Sequence, residues 1–568
     1  MGSGPCCEPS PAFAALRKSA SFNPWGHGSA GVVDRLSMRV FKISPGTVAT
    51  SLLALLVLQS CAGSGEPYAP SEDYTSDRAM FVRGYEEIES AYIEPLDIGN
   101  LAVAGLQQLA TIDPAIVVER EDDEVTLVVS GREASSFDAP EADQATRWAV
   151  LTAGAIGAAR EASPGVAAAD NEEIYQTMFE GIVDRLDDFS RYSSAAEADE
   201  NRATREGFGG IGVRIAVEDE KVRILSIMHY TPAERAGLKA DDYVTHIDGE
   251  PVAGLDQQEV IARLRGQIDS DVLLTIERGG VPLPLPIEVT RAHVVPETVV
   301  YRREGNIAYL RIYSFNLETA DSLRREITSA AEEIGPGLRG YILDLRGNPG
   351  GLLDQAVAVS DLFLEGGRVV STHGRHPDSH QYFEAGPGDA AGGKPVVVMI
   401  NGNSASASEI VAAALQDDGR AVVIGTNSYG KGTVQTVIRM PNDGEFTLTW
   451  ARFHAPSGYT LNHLGVLPTI CTSTSPRGAD ADKLMRDLAA GLLEPVPTQT
   501  RNATDPADTE ALDRLRAACP QRRSEDGLDL ILALRLLDNP TLYARAVHLA
   551  DAPDLASSDQ PAIFQAQP

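Results

Sequence analysis

The stretch 306–470 alternates short apolar runs with longer amphipathic runs, and this alternation restricts the fold more than any other feature of the chain. The pattern predicts strands at 307–312, 340–345, 396–400 and 422–425, and helices at 320–333, 352–364 and 406–416. Strands separated by helices form α/β units with a partly parallel sheet. Ligands gather at the carboxyl ends of strands in such sheets, so the loops that follow these strands are the first candidates for a site.

Three loops after predicted strands combine glycines with polar residues. They are the glycine loop Asp344-Leu-Arg-Gly-Asn-Pro-Gly-Gly351, the serine loop Asn401-Gly-Asn-Ser-Ala-Ser-Ala-Ser-Glu409 and the lysine loop Asn427-Ser-Tyr-Gly-Lys-Gly-Thr-Val-Gln435. Glycines let backbone amides approach a ligand closely. Ser406 stands at the start of a predicted helix, whose first amides are suited to stabilising an oxyanion. Ser406-Ala-Ser-Glu409 is also a capping box, so a purely structural role for this serine is the alternative.

Lys431 has a sequence environment that suits a general base. A serine hydroxyl is a weak nucleophile and needs a base, whereas a lysine at its ordinary pKa of ~10.4 is protonated. Burial without a carboxylate partner lowers that pKa. Tyr429 and Val434 flank the lysine, and the segment 420–440 contains no acidic residue. Gln435 could accept a hydrogen bond from the amine; the alternative is an ordinary strand residue.

Taken in this order, the three loops resemble those of the carboxy-terminal processing peptidases, the tail-specific serine proteases of family S41. The resemblance spans about residues 171–470. It includes the further motifs Leu186-Asp-Asp-Phe-Ser-Arg-Tyr192, Phe208-Gly-Gly-Ile-Gly212, Leu352-Leu-Asp-Gln-Ala356 and Pro456-Ser-Gly-Tyr-Thr-Leu461. It implies a Ser–Lys dyad in which Ser406 is the nucleophile, Lys431 the base and Gln435 its orienting neighbour.

The resemblance also suggests where the tetrahedral oxyanion would bind. The Ala407 amide and the amide of Gly350 or Gly351 would form the oxyanion hole. Ser404 and Ser408 are the alternative nucleophiles.

Residues 206–291 are β-rich and resemble a PDZ domain in the permuted form that such proteases carry. Gly210, Ile211, Gly212 and Val213 match the loop that binds a substrate's terminal carboxylate while the peptide adds a strand to the sheet. Arg265 stands where the family can carry an arginine that couples ligand binding to the active site. The following segment, Gly266-Gln-Ile-Asp-Ser-Asp271, departs from the family pattern and leaves this switch role open. A PDZ fold without a ligand role is the alternative.

The N-terminal segment resembles a targeting signal. Residues 1–37 are interpreted as a non-native or disordered extension, and 38–61 as a lipoprotein signal peptide with a basic start and an apolar run. Leu58-Gln-Ser-Cys61 resembles a bacterial lipobox, in which Cys61 would be lipidated; an ordinary signal peptide is the alternative. Ala62 after the cysteine favours the outer membrane of a Gram-negative cell, with the protein in the periplasm.

Charge and cysteine content exclude other classes. The 568 residues contain 81 acidic and 48 basic side chains, for a net charge of −33, which excludes nucleic acid as a partner and electrostatic docking on anionic lipid. Cys471 and Cys519 could form one disulfide in an oxidising periplasm; two buried thiols are the alternative. His373, His376 and His380 have spacing that could ligate a metal, but they lie in loop sequence, so no metal or cofactor is assigned.

The sequence therefore predicts an α+β multidomain protein with an α/β protease core, a PDZ-like β-rich domain and helical terminal regions. The predicted divisions are 62–205 (mainly helical), 206–291 (PDZ), 292–470 (protease core) and 471–568 (helical appendage and tail, with a solvated acidic face). The predicted function is a lipid-anchored serine endopeptidase that recognises the accessible C-terminal tails of protein substrates. Alternatives are a catalytically latent or silent tail-binding scaffold and a protease of different specificity. An adaptor protein and a homo-oligomer are further partners that the family suggests.

Overall fold

The computed structural model describes residues 72–218, 220–473, 481–523, 525 and 527–549. The interpretations of residues 1–37 and 38–61, including lipidation of Cys61, lie outside these residues. Among the helices of the described part, none combines the length and the apolar character needed to cross a bilayer.

Helices dominate the N-terminal region and enclose a small sheet. The helices are α1 (Glu72–Ala91), α2 (Ile98–Gln108), α3 (Ala145–Ala162), α4 (Pro164–Ala168), α5 (Asn171–Val183) and α6 (Ala195–Glu206), and the strands are β1 (Ile116–Glu121), β2 (Glu124–Val129), β3 (Arg132–Asp138) and β4 (Arg191–Ser193). The apolar spacing over 77–109 predicts helix, and the structure has two helices there, α1 and α2. Pro95 disfavours helical backbone at the residue before it, and Asp97 caps a second helix by accepting from the Asn100 amide.

Residues 111–170 hold a three-stranded antiparallel sheet, β1-β2-β3, and helix α3. The sequence predicts a single strand over 124–130 within an irregular, acidic stretch, so the other two strands and α3 were missed. Val125 and Leu127 of the middle strand are buried against the core of the helical region, with Trp148 of α3 fully buried beside them. The sheet is therefore part of that core.

The next region is a β-rich domain with two short helices. Its strands are β5 (Phe208–Gly210), β6 (Val213–Glu218), β7 (Lys221–Ile227), β8 (Tyr243–Ile247), β9 (Glu250–Pro251), β10 (Asp271–Glu277), β11 (Leu285–Thr290) and β12 (Ala292–Val294), and its helices are α7 (Pro232–Arg235) and α8 (Gln257–Leu264). The main sheet has the order β11-β10-β8-β7-β6, and β5 pairs with β12. Strand β6 is thus an edge strand that faces α8.

The region predicted as the α/β core is built on a six-stranded sheet in the order β13-β14-β15-β18-β19-β22. These strands are β13 (Val299–Glu304), β14 (Ile307–Ile312), β15 (Gly340–Asp344), β18 (Val396–Ile400), β19 (Ala421–Gly425) and β22 (Ile470–Cys471), and the helices are α9 (Thr319–Ile334), α10 (Leu353–Asp361) and α11 (Ala407–Asp417). All pairs are parallel except β13 with β14. The predicted α/β core, and with it the mixed fold class, is confirmed.

A second sheet lies beside the first and joins it to the N-terminal region. It contains β16 (Gly367–His373), β17 (Gln381–Ala385), β20 (Thr433–Arg439) and β21 (Glu445–His454), and β4 pairs with β21. Phe446 and Leu448 of β21 are fully buried in the hydrophobic core of the N-terminal helices. The strand that leaves the lysine loop, β20, is therefore held against that region through β21.

The C-terminal appendage consists of α12 (Ala481–Ala490), α13 (Thr498–Ala503), α14 (Thr509–Ala517), α15 (Gly527–Leu537) and α16 (Pro540–Val547). Leu532 and Leu536 of α15 pack against Ile342 and Met399, on the sheet face that α9–α11 leave open. The appendage covers this face because parallel strands that are apolar on both faces need a layer on each side.

Candidate active site

The three predicted loops meet at the carboxyl ends of β15, β18 and β19 and are bonded to one another. The Ala405 amide donates to the Asn348 carbonyl at 3.0 Å, which ties the serine loop to the glycine loop. The Tyr429 amide donates to the Ser404 carbonyl at 2.9 Å, which ties the lysine loop to the serine loop. The relative positions of the loops are thus set by backbone hydrogen bonds.

Ser406 begins α11 in an unusual backbone conformation. Its φ and ψ are 57° and −114°, in a region that residues with a Cβ rarely adopt. The capping box of the sequence analysis is present: the Ser406 amide donates to the Glu409 carboxylate at 2.7 Å. An ordinary cap has extended backbone and needs no such strain, so the cap alone does not account for this conformation.

The alternative nucleophiles have structural partners. The Ser404 hydroxyl donates to the Leu345 carbonyl at 2.8 Å, and the Ser408 hydroxyl donates to the Asn348 carbonyl at 3.0 Å. Both side chains are completely buried, whereas Ser406 is partly exposed. Of the three serines, Ser406 is therefore the one open to a substrate.

Glu409 joins the serine and lysine loops and was missed by the sequence analysis, which saw only a helix cap. One oxygen, Oε2, accepts from the Ser406 amide at 2.7 Å and from the Lys431 amide at 3.0 Å. The other, Oε1, accepts from the Gly430 amide at 2.7 Å and from the Ser428 hydroxyl at 2.5 Å. Burial raises the pKa of Glu409 to about 7, although these four hydrogen bonds oppose the shift.

Lys431 lies in surroundings that weaken its hold on a proton. Burial, with a smaller contribution from the Arg191 charge, lowers the pKa of Lys431 to about 8, while Glu409 and Asp187 act in the opposite direction. Its Nζ atom lies 4.7 Å from the centroid of the Phe189 ring. Among the described residues, Lys431 forms no ion pair, although the charges of Glu409 and Asp187 are close enough to act on it.

Phe189 and Arg191 were not singled out from the sequence. They belong to the motif Leu186–Tyr192, which was recognised only as part of the resemblance. Asp187 folds this turn by accepting from the Phe189 amide at 2.8 Å and from the Ser190 amide at 3.1 Å. The N-terminal region thus supplies part of the environment of Lys431.

The structure distinguishes the two candidate oxyanion glycines. The Gly350 amide already donates to the Asn348 side chain at 2.8 Å, so it is not available to a substrate. The Gly351 and Ala407 amides donate to no acceptor within the described residues. Gly350 instead allows a close approach: a Cβ there would lie 2.8 Å from the Ser406 Cβ, at a φ of 106°.

Gln435 is not brought into contact with Lys431. Its amide nitrogen donates to the hydroxyls of Thr433 at 2.9 Å and Thr449 at 3.2 Å. The Thr449 hydroxyl in turn donates to Asp187 at 2.9 Å. Gln435 therefore belongs to a network that fixes β20 to β21 and to the turn beside Lys431.

The predicted tail-binding loop lines a groove between the edge strand β6 and α8. This groove has a volume of about 280 Å³, and Gly210, Ile211, Gly212 and Val213 lie along one wall. Gly212 has a φ of +82°, and a Cβ on it would lie 2.4 Å from the Thr231 Cβ, so only glycine fits. The opposite wall consists of Gln257, Ile261, Leu264 and Arg265, so it has an apolar part formed by Ile261 and Leu264.

Arg265 lies at the end of α8 and contacts a helix outside the β-rich domain. Its guanidinium donates to Glu200 of α6 at 2.8 Å and lies 4.3 Å from the Phe208 ring centroid. On the same helix, Arg205 pairs with Glu445 of β21 at 2.8 Å. Helix α6 therefore contacts both the peptide groove and the sheet that follows the lysine loop.

Two further sequence candidates have defined positions. The sulfur atoms of Cys471 and Cys519 are 2.06 Å apart, as in a disulfide. Nδ1 of His373 lies 3.3 Å from Nδ1 of His380, while His376 accepts from the Asp378 amide. Within the residues that the structure describes, no group of three or more His, Cys, Asp or Glu side chains is arranged to hold a metal ion.

Comparison with known proteins identifies two of these regions. Residues 306–472 match peptidase family S41, and residues 209–289 match the PDZ domain. A carboxy-terminal-processing protease of Bartonella bacilliformis is 42% identical over 303 residues, which cover 53% of this chain and 70% of that protein. The carboxy-terminal processing protease CtpA of Bacillus subtilis is 33% identical over 304 residues, which cover 53% of this chain and 64% of that protein.

Among solved structures, the photosystem II D1 C-terminal processing protease aligns with 76% of this chain and 98% of its own, at 21% identity and a TM-score of 0.37. The sequence matches define the chain as a member of peptidase family S41 with a PDZ domain, and so as a serine protease. Within that family it belongs with the carboxy-terminal processing proteases. The resemblance found in the sequence is confirmed.

Proposed function

We propose that the chain is a serine endopeptidase of the cell envelope that binds the C-terminal tail of a protein substrate in its PDZ groove and cleaves with a Ser406–Lys431 dyad. The main support for the proposal is that Ser406 and Lys431 are both hydrogen-bonded to Glu409. One carboxylate oxygen accepts hydrogen bonds from the backbone amides of both dyad residues, while burial lowers the pKa of Lys431 to about 8.

The dyad accounts for hydrolysis of a peptide bond in two steps. Neutral Lys431 takes the hydroxyl proton of Ser406 as Oγ attacks the scissile carbonyl, and the Ala407 and Gly351 amides stabilise the resulting oxyanion. The lysine then protonates the leaving amine, which leaves an acyl-enzyme on Oγ. Lys431 next accepts a proton from a water molecule as that water attacks the acyl carbon. It then passes this proton to Ser406 Oγ as the acyl carbon–Oγ bond breaks, which releases the new C-terminus and restores the dyad. All proton transfers therefore use groups of this chain and water.

Tail capture follows from the unpaired edge of β6. An extended peptide can pair with this strand while its terminal carboxylate meets the backbone amides of the loop 210–213. Ile261 and Leu264 line the groove opposite the strand, so an apolar C-terminal side chain suits it. The substrates are accordingly proteins with accessible, apolar tails; an adaptor and a homo-oligomer stay as expectations from the family.

In the proposal, Arg265 couples binding of a peptide in the groove to the dyad site. It lines the groove and is paired with Glu200, so a bound peptide carboxylate would compete with Glu200 for the guanidinium. Release of Glu200 would free α6, whose Arg205 is bonded to Glu445 on the strand next to β20. The proposal includes this switch between tail binding and the site.

The proposed location is the periplasm of a Gram-negative cell, with lipidated Cys61 as the anchor in the outer membrane. An acyl chain holds a protein of net charge −33 at a membrane through apolar contacts, each buried methylene contributing ~0.8 kcal/mol. Metabolic labelling with a palmitate analogue, compared between the wild type and Cys61→Ser, tests this step.

The experiment compares residues 62–568 of the wild type with Ser406→Ala. The substrate is an unstructured protein with an apolar C-terminus, offered with a free and with an amidated terminus. Cleavage by the wild type alone, lost on amidation, is the expected result. Equal cleavage of both termini would contradict tail recognition, and equal cleavage by both enzymes would contradict the nucleophile. If neither enzyme cleaves while both bind the free tail, the chain is a latent or silent tail-binding protein.

A further inference from the structure

A segment of the appendage touches the serine loop. Residues 516–523, which we call the strap, lie beyond the region matched by the S41 family. The Gly402 amide donates to the Arg522 carbonyl at 2.8 Å, and the side chains of Asn401 and Asn403 donate to the Arg523 carbonyl at 3.2 Å each. Three donors of the serine loop thus depend on the strap backbone.

The same segment holds the lysine loop. The Gln521 side chain donates to the Ser428 carbonyl, and the Arg516 guanidinium reaches the Tyr429 carbonyl at 3.5 Å. Arg516 also donates to the carbonyls of His463 and Leu464, at 2.7 and 2.8 Å, which places it under the turn that packs on the lysine loop. The strap therefore contacts both loops that carry the dyad.

One covalent bond fixes the strap to the sheet. Cys519 follows α14 and is joined to Cys471, whose strand β22 pairs with β19. The Cα atoms are 5.8 Å apart, and the two residues are separated by 48 positions in sequence. Because the lysine loop starts directly after β19, the disulfide anchors the strap at the base of that loop.

We propose that the strap is a positioning element for Ser406 and Lys431, and that the Cys471–Cys519 disulfide makes catalysis sensitive to reduction. This inference rests on the proposed function of the dyad. In the reaction a dithiol supplies two electrons and two protons: the S–S bond breaks, two thiols form, and the dithiol becomes a disulfide. The strap stays in the chain but loses its anchor.

A cavity beside the disulfide offers a route for such a reagent. A cavity of about 270 Å³ is lined by both cysteines together with Leu484 and Pro495, between the appendage and the core. In the proposal a small dithiol reaches the disulfide from this cavity, and neither Ser406 nor Lys431 is among the residues that line it. Reduction can therefore act on the strap without any reaction at Ser406 or Lys431.

The test measures kcat and KM of the wild type with and without dithiothreitol, beside the double variant Cys471→Ser/Cys519→Ser. Small displacements of catalytic groups cost up to about 100-fold in rate, so we expect kcat to fall about 10- to 100-fold while KM changes by less than about threefold. Reduction should leave the double variant unchanged. Hydrogen exchange of the Gly402, Gly430 and Lys431 amides should accelerate on reduction, which reports on the loops independently of cleavage.

Variants of the strap itself keep the inference testable if loss of the disulfide unfolds the appendage. Arg516→Ala and Gln521→Ala should each lower kcat with the disulfide intact. Arg514→Ala is the matched control, since this arginine lies on the same helix, is largely exposed and pairs only with Glu510 among the described residues. Full activity after verified reduction, or equal activity of the Arg516 and Arg514 variants, would overturn the inference. If no sample shows cleavage that depends on Ser406, the dyad function is refuted. If hydrogen exchange of the loops still accelerates on reduction in those samples, the role of the strap in holding the loops is retained.

Discussion

Replacement of Glu409 by glutamine tests whether the shared carboxylate positions the dyad. An amide side chain keeps one accepting oxygen and presents an NH₂ group at the other position. Two of the four donors that now face Glu409 would then face a donor. A buried donor without an acceptor costs about 1–3 kcal/mol, so the loss is about 2–6 kcal/mol.

Removal of the negative charge of Glu409 has the opposite effect on the free energy of unfolding. The pKa of Glu409 rises from 4.5 to about 7 on folding, so the folded state binds this proton more tightly than the unfolded chain. The free energy of unfolding therefore falls as pH rises from the ordinary value through about 7. A pKa shift of this size means that the ionised Glu409 lowers the free energy of unfolding by roughly 3 kcal/mol at pH 8. The neutral glutamine side chain would remove this cost. Removal of the charge therefore offsets part or all of the cost of the lost hydrogen bonds: at pH 8 the net effect of Glu409→Gln lies between a gain of about 1 kcal/mol and a loss of about 3 kcal/mol, so the melting temperature should fall less than the lost hydrogen bonds alone imply.

Activity has no such compensation. Whichever oxygen is replaced, one of the two dyad loops loses at least one backbone anchor, and kcat should fall about 100-fold or more. The assay is kcat and KM on the tail substrate at pH 8, with thermal unfolding of the same samples at pH 5 and pH 8. Glu365→Gln, at an exposed glutamate, controls for the change in net charge. A Glu409→Gln enzyme with wild-type kcat would refute the reasoning.

Three further changes probe the base, the close approach and the tail groove. Lys431→Arg should abolish turnover, because a guanidinium stays protonated. In the wild type, kcat/KM should fall about tenfold per pH unit below about 8 as Lys431 becomes protonated, and a flat profile would contradict a titrating lysine. Gly350→Ala should lower kcat with little change in KM, since the new Cβ would lie 2.8 Å from the Ala405 carbonyl oxygen; Gly279→Ala, which meets nothing within 4 Å, should be neutral. Gly212→Val should weaken tail binding measured by fluorescence anisotropy without changing cleavage of a short peptide, and equal anisotropy curves would argue against this groove.

The strands of the core could be predicted from the sequence because each is a short run dominated by apolar residues. The strands 307–312 and 396–400 agree with the structure to the residue. Helix α3 was missed since an alanine-rich segment buried on several sides lacks a clear amphipathic pattern. The sheet β1-β2-β3 was mostly missed for a related reason: its outer strand carries few apolar residues.

The residues of the dyad could be named from motifs, but their partners could not. Glu409 has an obvious local role as a helix cap, and nothing in the sequence indicates that its carboxylate also accepts from Gly430 and Lys431, about twenty positions later. The choice between Gly350 and Gly351 depends on which amide the Asn348 side chain occupies, and two adjacent glycines look alike in sequence. Long-range hydrogen bonds of this kind leave no periodicity to detect.

The C-terminal helices give the central sheet its second layer, and this has a consequence for how the enzyme can be divided. The segment matched by peptidase family S41 ends at residue 472, before α12 and α15. Cut there, the sheet would expose Ile342, Met399 and Val422, an apolar face of the kind that drives association. The sequence signature of the protease is therefore shorter than its smallest folding unit. Truncations designed on the signature should yield aggregates, whereas a chain that retains residues up to 549 keeps both layers.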